Sequence, residues 1–231
     1  VINQGIIPQD IGILGIDALL ATRSIAYLLC LFACLGMLNA TNMADGANGL
    51  MPLVFMGTFY GYFVLSGELL YLAVTMGLMV FTIFNVLSGR LFLGDSGSYG
   101  LGALAALGAL KLMSEIGAEV WFFLCLAAYP VIDFFVSIVR RKLAGKSPLS
   151  PDSDHMHNRV YRLFRRTISS PLMANSLSGL TISIGTTGVS VALLSLWSVD
   201  SRYWVLLFLC IVVIYLFLYL ALPPNELATE S

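Results

Sequence analysis

The sequence predicts an all-α, polytopic integral membrane protein with about seven transmembrane helices. Of its 231 residues, 58% are hydrophobic and only 11% are charged, whereas a soluble domain carries about 25% charged residues. The mean hydropathy is +0.89. Apolar stretches close to the roughly 20 residues that cross a bilayer follow one another along the chain. The net charge of −1 provides no basic field for nucleic acid, which we do not expect as a partner.

Intervals without charged residues define the individual helices. The charge-free intervals are 24–44, 46–67, 69–89, 96–110, 167–199 and 203–225, and the interval 120–139 contains one charge, Asp133. A single membrane domain covering 1–231 is expected, in which 1–23 forms a loop or a short surface helix. The predicted spans are 24–39, 51–66, 69–87, 98–113, 119–138, 178–197 and 203–222.

The distribution of lysine and arginine sets the orientation. Eight of the twelve lie between Arg140 and Arg166, so the positive-inside rule places this region in the cytoplasm. We expect 140–176 to form a cytoplasmic substrate-binding loop. Counting spans from there puts 39–50 and 88–98 on the same face of the membrane. The three segments richest in Asp, Asn, His and Arg therefore share one side.

The first of these segments is NATNMADGANGL, residues 39–50. Asn39, Asn42, Asp45 and Asn48 recur every third residue, which would place them on one face of a helix. Nearby glycines allow a turn or the close approach of a ligand. A polar loop with Asn and Asp as helix caps is the alternative, but a cap requires only one such residue.

The second segment is FNVLSGRLFLGDSGSYG, residues 84–100, which contains Asp95 in GDSGS. A carboxylate at the membrane face suits Mg²⁺, which proteins hold with one or two carboxylates together with substrate phosphates. The start of the following helix would suit a phosphate. Asp95 as a plain helix cap is the alternative, and Phe92 is either a stacking platform for a base or an interfacial anchor.

The third segment is RRKLAGKSPLSPDSDHMHNRVYRLFRR, residues 140–166. Two prolines prevent a continuous helix. His155 and His157, the only histidines, follow Asp152 and Asp154. A zinc site would need a third strong ligand that the spacing does not offer. The basic residues could clamp a pyrophosphate, attract anionic lipid or only determine topology.

Three motifs in this order, NATNMADGANG, FLGDSGS and GKSPLSPDSDHMHNR, resemble those of the polyprenyl-phosphate N-acetylhexosamine-1-phosphate transferases. This is glycosyltransferase family 4, with the MraY/WecA-like fold. The likeness covers 39–160. The SPLSPD…HMH form resembles the branch of the undecaprenyl-phosphate GlcNAc-1-phosphate transferases rather than the peptidoglycan branch, which has three consecutive histidines.

The resemblance implies a reaction, a cofactor and a location. Such an enzyme transfers a sugar 1-phosphate, here expected to be GlcNAc 1-phosphate, from a UDP-N-acetylhexosamine to undecaprenyl (polyprenyl) phosphate and releases UMP. It requires Mg²⁺, with Mn²⁺ as a possible substitute. The expected setting is the bacterial inner membrane, with the active face in the cytoplasm, membrane lipid as surroundings and a possible homodimer.

The resemblance also assigns roles to ten residues. Asp45, Asp95 and His155 would be catalytic, and Asp45 and Asp95 would hold the metal. Asn85 and Phe92 would contact the uracil. Asp133 matches an acidic position of this branch, with pairing to Arg140 or Arg141 as the alternative. The substrate-binding set comprises Asn42, Asn48, Asn85, Phe92, Arg141, Asp152 and His157.

The sequence departs from the family pattern in three places. Asn48 replaces the second acid of DGxDG, and an amide cannot supply charge to a metal. Asn158 ends a shortened histidine motif. The family's upstream DDxxD motif is absent, since no two aspartates are adjacent. We therefore expect the chain to correspond to the C-terminal two-thirds of such an enzyme, as a fragment that is inactive alone.

Three other classes of protein are alternatives to a transferase. A transporter or flippase is the main alternative, but its charges tend to pair at mid-membrane, whereas Asp45 and Asp95 flank predicted spans. A CDP-lipid alcohol phosphotransferase would need further aspartates after DGANG. A structural membrane subunit gives no reason for Asp95, His155 and His157 to share one face.

Overall fold

The computed structural model describes residues 6–13, 15–147, 153–198 and 202–223. Within these ranges all regular secondary structure is helical, which confirms the predicted all-α class. The helices are α1 Ile16–Leu20, α2 Arg23–Ala44, α3 Leu50–Ser66, α4 Leu69–Ser88, α5 Gly94–Ile116, α6 Val120–Leu126, α7 Ala128–Leu143, α8 Met156–Arg165, α9 Pro171–Ser183, a π-helix Ile184–Gly188, α10 Val189–Leu193 and α11 Tyr203–Ala221.

Five helical segments in the described part of the chain are long and apolar enough to cross a membrane: α2, α4, α5, the continuous run from Pro171 to Leu193, and α11. A sixth span results if α6 and α7 count as one broken crossing. The predicted span 51–66 forms α3, an apolar helix of 17 residues, which is at the short end of the range for crossing a bilayer. The chain is thus an integral membrane protein.

The helices run alternately between two ends of the bundle. At one end, the last turn of α2 meets the first turn of α5, and the start of α3 meets the end of α4. At the opposite end, Lys111 of α5 pairs with Glu68, between α3 and α4, at 2.6 Å. We call the first end the polar end, because it brings together 39–50, 84–98 and 153–162.

The apolar core surrounds α3, which packs against α4, α5 and α9. Its largest buried side chains include Phe55 and Phe59. The hydroxyl of Tyr62 donates to the carbonyl of Ala105 at 2.9 Å, since a buried tyrosine needs a partner. α3 therefore lies at the centre of the bundle. The next two helices, α4 and α5, pack against it and border the polar end.

The predicted span 119–138 is not one straight helix. It forms α6 and α7, whose axes differ by 86°. Pro130 lies in the first turn of α7 and lacks the N–H that would bond to the carbonyl of Leu126. The hydroxyl of Thr187 donates to that carbonyl at 2.7 Å, and the hydroxyl of Ser190 donates to Cys125 at 3.1 Å. The π-helix region therefore satisfies carbonyls that lipid could not.

Two predicted helix starts were too late. The helix predicted from 98 begins at Gly94, so Asp95 lies within its first turn. The helix predicted from 178 begins at Pro171, where Ser170 accepts a hydrogen bond from the N–H of Met173. Serine at the cap and proline at the first position are ordinary start signals. The predicted loop 140–176 contains all of α8 and the first turn of α9.

Candidate active site at the polar end of the bundle

Asn42 joins the first two polar segments. Its side-chain amide donates to the carboxylate of Asp95 at 3.0 Å and to the hydroxyl of Ser98 at 3.0 Å. One residue earlier on α2, the hydroxyl of Thr41 donates to the carbonyl of Ser98 at 3.2 Å. Asp95 is exposed at the start of α5, where the helix dipole favours a negative charge. The predicted stripe of four residues on one helix face is wrong, because α2 ends at Ala44 and Asn48 lies in the turn beyond it, but Asn42 does meet Asp95.

Asp45 follows the last residue of α2 and lies beside Asp95. Burial raises the pKa of Asp45 to about 6; a hydrogen bond from the backbone of Gly94 opposes this shift, and the charge of Asp95 adds to it. Two carboxylates close enough to disfavour each other's ionisation are a suitable pair for a cation. Among the described residues, no cluster of three or more His, Cys, Asp or Glu is placed to hold a metal ion.

The turn after Asp45 is held by two further helices. Gly49 has a φ of 77°, and its N–H donates to the side-chain oxygen of Asn85 on α4. The N–H of Asn48 donates to the side chain of Asn175 on α9 at 2.7 Å. The amide of Asn48 also donates to the hydroxyl of Ser176 at 3.3 Å. Asn48 and Asn85 are therefore buried, and their hydrogen bonds stabilise this turn.

His155 lies against α7. Its Nδ1 is 2.6 Å from Oδ2 of Asp133, while Oδ1 of Asp133 accepts from the hydroxyl of Tyr215 at 2.6 Å and from the N–H of Met156 at 3.0 Å. The alternative pairing of Asp133 with Arg140 or Arg141 is wrong, because these three donors occupy its carboxylate. Asp133 and His155 are both buried.

His157 connects the histidine segment to the first polar segment. A Cβ added to Gly46 would lie only 2.2 Å from Nε2 of His157, so the ring packs directly on this glycine. Nδ1 of His157 is 2.8 Å from the hydroxyl of Tyr129. Burial lowers the pKa of His157 to about 4, with Asp133 opposing the shift and His155 adding to it. His157 is therefore neutral at physiological pH.

Asp154 anchors the histidine segment to the last helix. It accepts from Nε of Arg159 at 2.9 Å and from the hydroxyl of Tyr219 at 3.0 Å. Arg140 donates to its backbone carbonyl. Burial alone would raise the pKa of Asp154, but the hydrogen bonds and charges of Arg159, Tyr219 and Arg140 bring it below the ordinary value. The guanidinium of Arg159 also lies 3.8 Å from the centre of the Tyr219 ring.

Comparison with known proteins matches this region to one family. Residues 3–113 match the profile described as "Glycosyl transferase family 4". This match covers just under half of the chain. The matched part contains Asn42, Asp45 and Asp95, which are the residues that meet at the polar end. No solved structure gives a significant match.

Similarity to curated relatives extends the likeness toward the histidine segment. A Thermotoga maritima undecaprenyl-phosphate alpha-N-acetylglucosaminyl 1-phosphate transferase is 31% identical over 124 residues, covering 53% of this chain and 39% of the relative. A Yersinia pestis protein of the same name is 28% identical over 193 residues, covering 74% and 50%. A phospho-N-acetylmuramoyl-pentapeptide-transferase of Fervidobacterium nodosum is 30% identical over 135 residues, covering 57% and 44%. The chain thus spans about two fifths to one half of these relatives.

The remaining predicted site residues lie at the same end with different exposure. Phe92 is 66% exposed in the connection between α4 and α5, where it is accessible to a ligand. Arg141 is buried in the last turn of α7. Asp152 lies outside the described residues.

Sequence reasoning missed several residues that build the site. Tyr215 and Tyr219 of α11 share a helix face and reach the polar end, and their spacing of four in a strongly apolar helix was the available signal. Asn175 and Ser176 lay in a segment predicted as a loop. Tyr129 directly precedes Pro130 and was not singled out.

Proposed function

We propose that the complete protein transfers an N-acetylhexosamine 1-phosphate, with GlcNAc as the sugar, from a UDP-sugar to undecaprenyl or another polyprenyl phosphate and releases UMP. The observation that supports this most directly is the hydrogen bond from Asn42 to Asp95, which joins two family motifs beside Asp45. Two relatives are named as undecaprenyl-phosphate N-acetylglucosaminyl 1-phosphate transferases, which supports the proposed sugar phosphate and lipid acceptor. The product would begin a cell-envelope glycan such as O-antigen.

The arrangement fits the chemistry of joining two anions. A lipid phosphate must meet a water-soluble nucleotide sugar, so the reacting groups require a site at the membrane surface rather than within it. Asp45 and Asp95 lie at helix ends, one after α2 and the other in the first turn of α5. We place this polar end on the cytoplasmic face of the bacterial inner membrane, where nucleotide sugars are found.

Asp45 and Asp95 also fit Mg²⁺. The metal is commonly held by one or two carboxylates and completes its shell with water and phosphate oxygens. Burial is the main cause of the raised pKa of Asp45, and repulsion by Asp95 adds to it. A divalent cation would relieve that repulsion, and Mn²⁺ would suit the same oxygens. Bound Mg²⁺ would neutralise charge on the phosphates.

The protein's own residues would orient the substrates. Asn42 fixes the direction of the Asp95 carboxylate. His155, His157 and Arg141 would contact the phosphates and the sugar, with Asp152 assigned by resemblance alone. Asn48 and Asn85 would act by holding the turn that carries Asp45, and Phe92 would stack on the uracil. A homodimer stays a prediction.

The decisive experiment supplies labelled UDP-GlcNAc, polyprenyl phosphate and Mg²⁺ to membranes. One preparation carries this chain, and a second carries the chain with its natural upstream sequence. We expect label in the organic phase from the extended form. The Asp95→Asn variant should insert normally and lose this transfer, while Asp10→Asn, on a residue outside the polar end, should retain it.

The outcome separates the possibilities. Transfer by the chain alone would show that upstream residues are dispensable. Transfer only from the UDP-linked muramoyl pentapeptide would change the sugar but keep the reaction. Failure of the extended form with every UDP-sugar tested would overturn the proposed function.

A further inference from the structure

The two histidines at the polar end make different hydrogen bonds through the same ring atom. Nδ1 of His155 contacts Asp133 at 2.6 Å, and Nδ1 of His157 contacts Tyr129 at 2.8 Å. Their rings are parallel within 3°, with centroids 5.4 Å apart. In a neutral imidazole one nitrogen donates and the other accepts, so the partner of Nδ1 decides what Nε2 can do.

Asp133 requires a proton on Nδ1 of His155. Its Oδ1 accepts from both Tyr215 and the N–H of Met156, and two donors bonded to one carboxylate oxygen favour the ionised form of Asp133. An ionised carboxylate only accepts hydrogen bonds. Ser137 also approaches Nδ1, but at 3.3 Å it is the weaker contact. The neutral ring of His155 therefore carries its lone pair on Nε2.

Tyr129 imposes the opposite arrangement on His157. The hydroxyl oxygen accepts from the backbone N–H of His157 at 3.3 Å, and the described residues offer its hydrogen no acceptor other than Nδ1 of the same histidine. Because that hydrogen bond makes Nδ1 an acceptor, the proton of the neutral ring must be on Nε2. This nitrogen packs on Gly46, directly after Asp45.

We propose that Tyr215 with Asp133, and separately Tyr129, fix the histidine pair in opposite tautomers. His155 then presents an Nε2 lone pair that accepts a hydrogen bond from a substrate hydroxyl or amide. His157 presents an Nε2–H that donates to a phosphate or carbonyl oxygen. Tyr215, Asp133 and Tyr129 are positioning residues, because they act through the histidines. The assignment of substrate groups rests on the proposed function, whereas the tautomers themselves do not.

Nitrogen-15 NMR of histidine-labelled protein in lipid nanodiscs tests this directly. Protonated and unprotonated ring nitrogens give well-separated signals, and His155→Gln and His157→Gln assign them. At about pH 8, above the ordinary histidine pKa, we expect His155 to be protonated on Nδ1 alone and His157 on Nε2 alone. A proton on Nε2 of His155, or on Nδ1 of His157, would overturn the proposal.

The Asp133→Asn variant makes a sharper prediction. Tyr215 and Met156 both donate to the Oδ1 position, so they would hold the amide oxygen there and turn the NH₂ group toward His155. Nδ1 must then accept, and the proton moves to Nε2. We expect transfer to fall by about 100-fold or more, as for a catalytic histidine in the wrong tautomer. A variant with the wild-type tautomer and reduced activity would contradict this mechanism.

Tyr215→Phe and Tyr203→Phe form a matched pair on α11. Loss of the Tyr215 hydroxyl should lower kcat about tenfold, by the size of one hydrogen bond to a charged group, with little change in KM. Tyr203, at the far end of the helix and 52% exposed, should tolerate the same change. If the spectra show opposite tautomers but no variant or wild type transfers sugar phosphate, the proposed function fails and the tautomers stand.

Discussion

The imidazole of His157 rests on Gly46, and this contact connects the histidine segment to the turn that carries Asp45. The added Cβ of an alanine at position 46 would come within 2.2 Å of Nε2, closer than real Cβ contacts allow. The two segments are 111 positions apart in sequence, so only the absence of a side chain at Gly46 lets them meet.

Gly46→Ala should therefore displace His157 without touching either acidic residue. We expect transfer to fall at least about tenfold, the effect of a small misplacement in a catalytic site, while the protein still inserts and purifies normally. Steady-state kinetics with the nucleotide sugar would measure this. Gly36→Ala on α2 is the control, because nothing lies within 4 Å of its added Cβ; equal losses in both variants would argue against the contact.

Asn42→Leu should weaken the metal site rather than the fold. The leucine removes both hydrogen bonds that hold Asp95 and Ser98, so Asp95 loses a charge-assisted bond of about 1.5–3 kcal/mol. We expect a higher Mg²⁺ concentration for half-maximal transfer, by about 10- to 100-fold, since each 1.4 kcal/mol is tenfold.

The matched variant for this test is Asn39→Leu. Asn39 lies one turn earlier on α2 and donates only to the carbonyl of Leu35 within its own helix. An unchanged Mg²⁺ requirement in Asn42→Leu, or the same shift in Asn39→Leu, would remove Asn42 from its proposed role.

Acidification should destabilise the protein through His157. Its pKa is about 4 in the folded state and 6.5 as the reference, so between these values the unfolded chain binds more protons than the folded one. Stability then rises with pH by up to about 1.4 kcal/mol per unit across this window, is fully present above 6.5, and the contribution is lost toward 4. Thermal unfolding in detergent between these pH values measures the slope.

The His157→Gln variant is the comparison for the pH profile. It removes the titrating group, so its stability should depend less on pH in that window than that of the wild type. Asp45, whose pKa is raised in the folded state, contributes a slope of the opposite sign in this window, so the difference between the two profiles isolates His157. A variant whose pH profile equals that of the wild type would contradict the neutral buried histidine.

Thr187→Val should destabilise the broken span at Pro130. The carbonyl of Leu126 loses its only described donor, and a buried carbonyl left without a partner costs about 1–3 kcal/mol. Thr186→Val is the control, because its hydroxyl bonds back to Ile182 of its own helix. Reversible unfolding in mixed micelles should show a clear loss for Thr187→Val and a smaller one for Thr186→Val; equal losses would reject the proposed support.

Much of the fold was predictable because lipid imposes strong rules on sequence. Charge-free intervals located all of the long apolar helices, but the three-residue spacing of Asn and Asp did not form the predicted stripe, because α2 ends at Ala44. The bend before Pro130 was not predicted, although a proline within an apolar run is a signal for one. The hydroxyls of Thr187 and Ser190 that bond to carbonyls at this bend lie 61 and 65 positions after their acceptors.

The contacts between helices were not predictable in the same way. Asp133 could be matched with Arg140 by proximity in sequence, whereas the folded chain gives it Tyr215 of the last helix. Likewise, Asn175 accepts a hydrogen bond from the N–H of Asn48 only because α9 packs against the turn at Asn48. Such pairings depend on helix rotation and crossing, which one sequence does not specify.

The polar end depends on Tyr215 and Tyr219 of α11, which bond to Asp133 and Asp154, and this dependence has a consequence for biosynthesis. The ribosome makes Asp133, Asp154 and both histidines before it makes α11, so these groups lack two of their partners until α11 is inserted. The polar end is therefore completed only after α11 has been made. A nascent chain halted at residue 202 should hold its histidine segment open to protease, and release of the finished helix should close it.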